Sequence, residues 1–263
     1  MELLAPSRWR CVDCISDLHL QASEPLTFSL WQDYLTSTCA DAVFILGDLF
    51  EVWVGDDVLT QDKGFESQCV DVLRQASARM DIYIMHGNRD FLMGQALMQA
   101  CNATLLADPT VFSFGPERWL LTHGDALCLD DTDYMQFRAQ VRSPQWQQDF
   151  LSRPLQDRLA FARGLRTQSE ARKHTGVTYA DVDHAAANEW LQRLGADQMI
   201  HGHTHRPGQH ALGAGRKRVV LSDWDGGAQP PRAEVLRLSL TDSTDMPVRV
   251  ERISPASAAR LAD

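Results

Sequence analysis

The strongest constraint on this chain is one layout that occurs five times: a short apolar run ends, and polar side chains with lone pairs follow at once. The five segments are Cys14-Ile15-Ser16-Asp17-Leu18-His19, Phe44-Ile45-Leu46-Gly47-Asp48, Ile84-Met85-His86-Gly87-Asn88-Arg89-Asp90, Leu121-Thr122-His123-Gly124-Asp125 and Met199-Ile200-His201-Gly202-His203-Thr204-His205. The apolar runs are too short for helices and rich in β-formers, so they read as strands. Strands are predicted at Arg10–Ser16, Ala42–Leu46, Asp81–Met85, Val111–Phe114, Trp119–Thr122, Gln198–His201, Arg218–Leu221, Ala233–Leu238 and Val248–Ile253. Amphipathic stretches predict helices at Thr27–Thr38, Gly64–Arg79, Asp133–Val141, Pro144–Arg163 and Tyr179–Leu194. Loops leaving strands of an α/β fold converge on one edge, where ligands bind. Five polar strand ends on one edge make a site.

Strands dominate the two ends of this series and helices dominate its middle. The pattern predicts a single α/β domain (α+β type) over residues 1–263: a β-rich sandwich flanked by helices. A helical insertion interrupts it between about Asp131 and Asp181. That insertion is basic, with Arg138, Arg142, Arg153, Arg158, Arg163, Arg166, Arg172 and Lys173, whereas the whole chain carries a formal net charge of −10. One reading is a solvated helical face. The sharper one is a cap that meets an anionic substrate or membrane surface. The acidic whole argues against a nucleic-acid partner, because backbone phosphates reward clustered Lys and Arg.

The N-terminal Met1–Pro6 stretch has no basic region before an apolar one, and no apolar run nears the ~18 residues of a membrane span. The expectation is a cytoplasmic protein, at most peripheral on a membrane. The six cysteines sit mostly in apolar runs and read as buried thiols of a reducing compartment. Cys11 and Cys14 form a C-x-x-C, but no second pair stands near with zinc-site spacing.

Carboxylate oxygen, amide oxygen and imidazole nitrogen together suit Mn²⁺, Fe²⁺ or Zn²⁺. Asp17 and His19 lie two apart, so an extended segment presents both to one ion. Asp48 has two oxygens with which to bridge two ions, and Asn88 adds a neutral oxygen. Glycines at 47, 87, 124 and 202 let the backbone turn beside such ions. Two ions ~3.5–4 Å apart activate water and clamp phosphoryl oxygens. A lone Asp after a strand is more often a turn former, and a lone His more often a satisfied polar residue; the case rests on five coincident strand ends. Within His201, His203 and His205, alternation alone does not single out two ligands. His86, His174, His184 and His210 lack the strand-end context and read as structural or surface residues.

The order Asp-x-His, Gly-Asp, Gly-Asn, His and Gly-His-x-His, running from Asp17 to His205, resembles the calcineurin-like metallophosphoesterase superfamily. The resemblance implies a four-layer β-sandwich flanked by helices and a site for two cations. Asp17, His19, Asp48 and His205 would hold one ion; Asp48, Asn88, His123 and His203 the other. Asp48 is then the bridge and His201 falls outside the set.

Longer strings are more specific. Many superfamily members carry Gly-Asn-His-Asp or Gly-Asn-His-Glu, whereas this chain has Gly87-Asn88-Arg89-Asp90-Phe91. Leu49-Phe50-Glu51-Val52-Trp53-Val54-Gly55-Asp56-Asp57 follows Asp48, and His123-Gly124-Asp125 continues through Ala126-Leu127-Cys128-Leu129-Asp130-Asp131-Thr132-Asp133-Tyr134. Ile200–His205 continues as Arg206-Pro207. Together these are similar to the UDP-2,3-diacylglucosamine diphosphatases of lipid A biosynthesis. That resemblance implies attack of metal-activated water on the α-phosphorus, giving UMP and 2,3-diacylglucosamine 1-phosphate (lipid X). It implies two Mn²⁺ as cofactor and a place on the cytoplasmic face of the inner membrane. Asp48, Asn88, Arg89 and His123 are the implied catalytic set, with Arg89 stabilising developing charge. Asn88, Arg89, Asp131, Ser169, Lys173 and His203 are the implied substrate contacts. Around Ser169-Glu170-Ala171-Arg172-Lys173 the chain runs one residue shorter than the family pattern, and Lys173 stands in for a more distant Lys. The competing readings are a metallophosphoesterase acting on a cyclic nucleotide, nucleotide-sugar or phosphoprotein, and a metal-binding scaffold without activity.

Overall fold

The computed structural model describes residues 1–60, 64–173 and 180–259, with side chains of 167–173 excepted. Two six-stranded mixed sheets form its centre. One contains β2 (Cys11–Ile15), β3 (Ala42–Leu46), β4 (Asp81–Met85), β5 (Thr104–Leu106), β11 (Val235–Leu240) and β12 (Val248–Ile253), in the order β12-β11-β2-β3-β4-β5. The other contains β1 (Glu2–Leu4), β6 (Thr110–Phe114), β7 (Glu117–Leu121), β8 (Gln198–His201), β9 (Gly208–Gly213) and β10 (Arg216–Val220), in the order β1-β6-β7-β8-β10-β9.

The sheets face each other across Val12, Cys14, Phe44 and Leu46 on one side and Phe112, Phe114, Trp119 and Leu121 on the other. Phe44 stacks on Tyr83 with ring centroids 4.9 Å apart and meets Phe112 at 4.7 Å. Truncating such a ring to Ala costs about 3–5 kcal/mol in other cores. β3 is buried along its whole length because both of its faces are covered. On its outer face lie α1 (Pro25–Ser37), α2 (Phe65–Ser77) and α3 (Gln95–Cys101). α1 starts with Pro at its first turn and buries Thr27, Trp31, Tyr34 and Leu35, one stripe at helical spacing. α7 (His184–Leu194) covers the other sheet through Ala187 and Leu191 against Leu120 and Met199. Its ends are fixed by Asp183, whose side chain accepts from the Ala186 amide at 2.7 Å, and by left-handed Gly195. The layers run helix, sheet, sheet, helix, as expected.

Cys11 and Cys14 are three apart on one strand and enter opposite cores, so the C-x-x-C is not a ligand pair. All six cysteines are free, and burial pushes the Cys11 thiol up to about 12.

Three helices occupy the inserted segment: α4 (Thr132–Val141), α5 (Pro144–Leu151) and α6 (Leu155–Lys173). The single helix expected over Pro144–Arg163 is therefore two. Pro154 lacks an N–H, and its ring disfavours helical backbone at Arg153, so the chain breaks there and restarts. The expected Tyr179–Leu194 helix starts only at His184, and Tyr179 lies outside the described residues. Strands β1, β5 and β9 and helix α3 add to the expected elements. Basic residues of the insertion also contact the sandwich. Arg138 donates to Asp125 at 2.8 Å, Arg142 to the Gly87 carbonyl at 2.9 Å, Arg158 pairs with Asp57, and Arg166 with Glu51. These four fasten the helices to the sandwich, and Arg166 also lines the cavity described below.

Among the described residues no helix is long and apolar enough to cross a membrane.

Candidate metal centre and adjoining cavity

Strands β2, β3 and β4 are mutually parallel, as are β7 and β8, so the polar segments leave from carboxyl ends that share one edge. Backbone hydrogen bonds tie neighbouring exits together: the Asp17 amide donates to the Gly47 carbonyl, the His19 amide to that of Asp48, and the Gly202 amide to that of His123. The exits are strained. Seven non-glycine residues among those described have positive φ, and five of them are Asp17, His19, Asp48, His203 and His205. Such backbone costs of order 1–3 kcal/mol per residue and gathers at functional sites. A Cβ on Gly87 would run into the Asp48 carboxylate, and one on Gly202 into Asp17, so close approach demands glycine at both.

These exits bring all seven expected ligands together. Asp17 Oδ1 lies 3.3 Å from His205 Nε2 and 4.0 Å from His19 Nε2, and the two imidazole nitrogens are 3.3 Å apart. Donors each ~2.1 Å from one ion sit roughly 3.0–4.2 Å from each other as the angle between them opens from about 90° to 180°, so this triangle fits a shared cation. The other Asp17 oxygen is saturated, accepting from Ser16 Oγ at 2.6 Å and the His203 amide at 2.9 Å. Oδ1 is buried with no hydrogen-bond partner.

The second cluster contains Asn88 Oδ1, 3.0 Å from His123 Nε2 and 2.8 Å from His203 Nδ1. His123 Nδ1 lies 2.9 Å from the Leu46 carbonyl, an obligate acceptor, which assigns the proton to Nδ1. Nε2 then offers a lone pair toward an amide oxygen that also has only lone pairs. With the Asn88 oxygen so placed, a cation or an added proton between them would relieve the contact. Asp48 stands between the clusters: its Oδ1 is 3.8 Å from His123 Nε2, its Oδ2 4.0 Å from His19 Nδ1. Asp17, Asp48 and His123 together, and Asp17, His19 and His205 together, offer ligand atoms close enough to share an ion.

Electrostatics point the same way. Burial opposes charge on Asp17, yet His205, His123 and His19 hold its carboxyl far below the usual range. Burial alone would depress His123, but Asp48, Asp17 and Asp125 outweigh it and raise the imidazole to about 9. The pocket demands positive charge, and the donor set is one that divalent cations accept. His201 differs. Its Nδ1 meets the Gly202 carbonyl at 2.9 Å and its Nε2 meets Arg218 at 3.3 Å, so neither nitrogen is free to ligate. Burial lowers it to about 4.

A cavity of about 770 Å³ opens beside the ligands. Asn88, Arg89 and Asp131 line it together with further charged residues such as Glu51, Arg166 and Arg206, and Trp53, Phe91, Phe137, Trp146, Phe150 and Phe161 add aromatic surface. That volume is within the usual range for small-molecule sites. Asp131 also caps α4, accepting from the Tyr134 amide at 3.1 Å. The side chains of Ser169 and Lys173 lie outside the described residues, as does His174. Of the other histidines, His86 meets the Met93 carbonyl at 2.7 Å, outside the cluster.

Sequence reasoning missed several polar residues of the site. Asp90 is fully buried and accepts from the amides of Leu49 at 2.7 Å and Gly87 at 2.8 Å, pinning two ligand-bearing exits together. Burial and the Asp48 charge push it up to about 7. Asp125 receives Tyr134 Oη at 2.6 Å and Arg138, anchoring α4. Glu51 pairs with Arg89 at 2.9 Å and with Arg166. Burial opposes its charge, but His19, Arg89 and Arg166 bring it down to about 2.

The family model for calcineurin-like phosphoesterases matches residues 12–207. UDP-2,3-diacylglucosamine hydrolase of Chromobacterium violaceum is 46% identical over 217 residues, spanning 81% of this chain and 90% of that protein. The protein of the same name from Bordetella pertussis is 42% identical over 224 residues, spanning 82% and 87%. Among solved structures, a dimetal phosphatase from Danio rerio matches with a TM-score of 0.50 at 13% identity, covering 94% of this chain and 96% of that one. That last likeness bears on the fold alone.

Proposed function

The chain belongs to the calcineurin-like phosphoesterase family, and from that premise we propose that it is a UDP-2,3-diacylglucosamine hydrolase, as its 41–46% identical relatives are named. It cleaves the pyrophosphate to give UMP and 2,3-diacylglucosamine 1-phosphate, a step of lipid A biosynthesis. The observation that carries this reading is the two-natured cavity. Its lining combines charged and polar side chains, Asn88 of the ligand cluster among them, with a set of aromatic rings, which fits a substrate that carries both a pyrophosphate and acyl chains.

Asp17, His19, Asp48 and His205 would hold one divalent cation, and Asp48, Asn88, His123 and His203 the second; manganese would suit this mixture of oxygen and imidazole donors. When bound, the ions supply Lewis-acid charge at the phosphoryl oxygens and lower the pKa of water. The chain's residues do the rest. The Leu46 carbonyl fixes the His123 tautomer, and Ser16 with the His203 amide turns Asp17 Oδ1 toward the ions. Arg89, held by Glu51, presents donors beside Asn88 where charge develops on the phosphoryl group. Asp131 meets the sugar. The α4–α6 segment, residues 131–181, acts as a cap whose aromatic wall excludes water and shelters the acyl chains. Ser169 and Lys173 are the further substrate contacts that the family resemblance implies. Exposed Leu151 and Phe161 on the cap, with Leu129 just before it, give apolar points at which to meet the inner membrane's cytoplasmic face, where such a substrate resides.

The test compares hydrolysis of UDP-2,3-diacylglucosamine, UDP-N-acetylglucosamine and a cyclic nucleotide by the manganese-loaded protein. The lipid is expected to be preferred by more than about 100-fold in kcat/KM, a transition-state difference of roughly 2.7 kcal/mol. Preference for either water-soluble substrate overturns the assignment.

A further inference from the structure

Glu51 lies three residues past Asp48, and its side chain is 9% exposed. Its two oxygens have different partners. Oε2 is 3.2 Å from His19 Nδ1, while Oε1 takes Arg89 Nη1 at 2.9 Å and Arg166 Nη1. His19 in turn directs its other nitrogen, Nε2, at His205 Nε2 and Asp17 Oδ1. One imidazole therefore spans from the carboxylate to the candidate ion. Arg89 comes from the exit of β4, whereas Arg166 comes from α6, 115 positions along the chain from Glu51. We propose that Glu51 is a positioning residue that joins the cation site to α6, so that cation binding and docking of the cap strengthen each other. This rests on the two-cation reading above.

The physical basis is local. A carboxylate behind a metal-bound imidazole fixes the ring and raises its basicity as a ligand. The His19 contact is electrostatic rather than a well-aligned hydrogen bond, since Nδ1 has no hydrogen-bond partner of good geometry. A ring held by an ion aims its Nδ1–H at Oε2, which leaves Oε1 facing the two guanidinium groups. Without the carboxylate, those two cations would face each other across a mostly buried space. The nearby Arg158 serves as an internal control. It sits eight residues before Arg166, about two turns along α6, and pairs with Asp57 and the Val54 carbonyl. Asp57 holds the start of α6 but shares no contact with the seven ligand residues among the described interactions. Coupling between two sites is reciprocal, so whatever loosens α6 through Arg166 must also weaken the ion.

The experiment measures hydrogen exchange in α6 peptides of the full-length protein, with and without MnCl₂, alongside calorimetric manganese titration. In the wild type, manganese is expected to slow exchange in α6 by roughly ten-fold. Glu51→Gln is expected to lose that response and bind manganese about 10–100-fold more weakly. Arg166→Met is expected to lose the response and show a smaller loss of affinity. Asp57→Asn is expected to speed exchange at the start of α6 with manganese affinity unchanged. The inference is overturned if manganese leaves wild-type α6 exchange unaltered, or if Glu51→Gln keeps either the response or wild-type affinity. Should Glu51→Gln not fold, Arg166→Met decides: a retained response overturns the coupling. These readouts use no lipid, so they stand apart from the substrate assignment.

Discussion

Asp13 and Asp17 are four residues apart, and neither side chain is reached by solvent. The fold treats them in opposite ways. Asp13 receives a two-pronged Arg237 at 2.8 and 2.9 Å, with Tyr34 Oη at 3.0 Å and Thr38 Oγ1 at 2.8 Å. Arg237 also donates to the Ala258 carbonyl, so this network is closed by protein groups alone. Asp17 keeps one oxygen without a hydrogen-bond partner, facing two imidazole nitrogens. A buried charge must be neutralised or hydrogen-bonded. The first carboxylate is neutralised by the chain itself; the second is arranged for a charge from outside. Burial and ionisation do not separate a structural carboxylate from a functional one; the identity of the groups that complete its shell does.

Breaking each side separately sharpens the contrast. The largest effect is expected from Asp17→Asn, which should lower kcat/KM by about 10³-fold or more, since cation charge on the phosphoryl group supplies several kcal/mol of the barrier reduction. Manganese should raise the urea stability of the wild type and leave that of Asp17→Asn unchanged. A gain in the variant equal to that of the wild type would mean that Asp17 does not hold the ion. Asp13→Ala should do the reverse. Leaving Arg237 buried without its partner is expected to cost about 3–5 kcal/mol in the same titration, with turnover per folded molecule unchanged. Arg89→Lys tests the boundary between the two kinds of group. It keeps the charge but loses the planar fork, so kcat should fall roughly 100-fold at unchanged manganese content.

Much of this was legible before any coordinates. The proposed ligand positions stand out because an apolar strand that stops at Asp, Asn or His exposes a lone pair at a sheet edge. β3, β4, β8 and β12 have the predicted limits. The elements that escaped are those whose state depends on neighbours. β1 has three residues and exists by pairing alongside β6. β9 begins and ends with glycine and is a strand because β10 supplies a ladder. α3 spans seven residues, too few for a periodic signal. Glu51 was hidden for a related reason. It sits inside the run Leu49-Phe50-Glu51-Val52-Trp53, and two of its partners, His19 and Arg166, are remote in sequence. The only sequence signal was one acid within an apolar stretch.

The smallest expected effect is on pH dependence, and it too separates the two carboxylate environments. In the cation-free protein His123 is raised from its ordinary value to about 9 by the surrounding carboxylates. A group raised on folding adds stability below its unfolded pKa and loses that contribution as pH climbs through the folded one. Cation-free stability should therefore fall between about pH 6.5 and 9, and a His123→Asn variant should lack that slope. Manganese binding near pH 8 should release protons, detectable as a calorimetric heat that changes with the ionisation enthalpy of the buffer. No proton release would mean that His123 is not displaced by the ion.

The central claim is that the five strand ends hold two cations bridged by Asp48. Counting metal per chain by mass spectrometry on manganese-loaded wild type and Asp48→Ala tests it most directly. The account predicts two ions per chain in the wild type and at most one in the variant. One ion or none in the wild type, or two retained after Asp48→Ala, would contradict it.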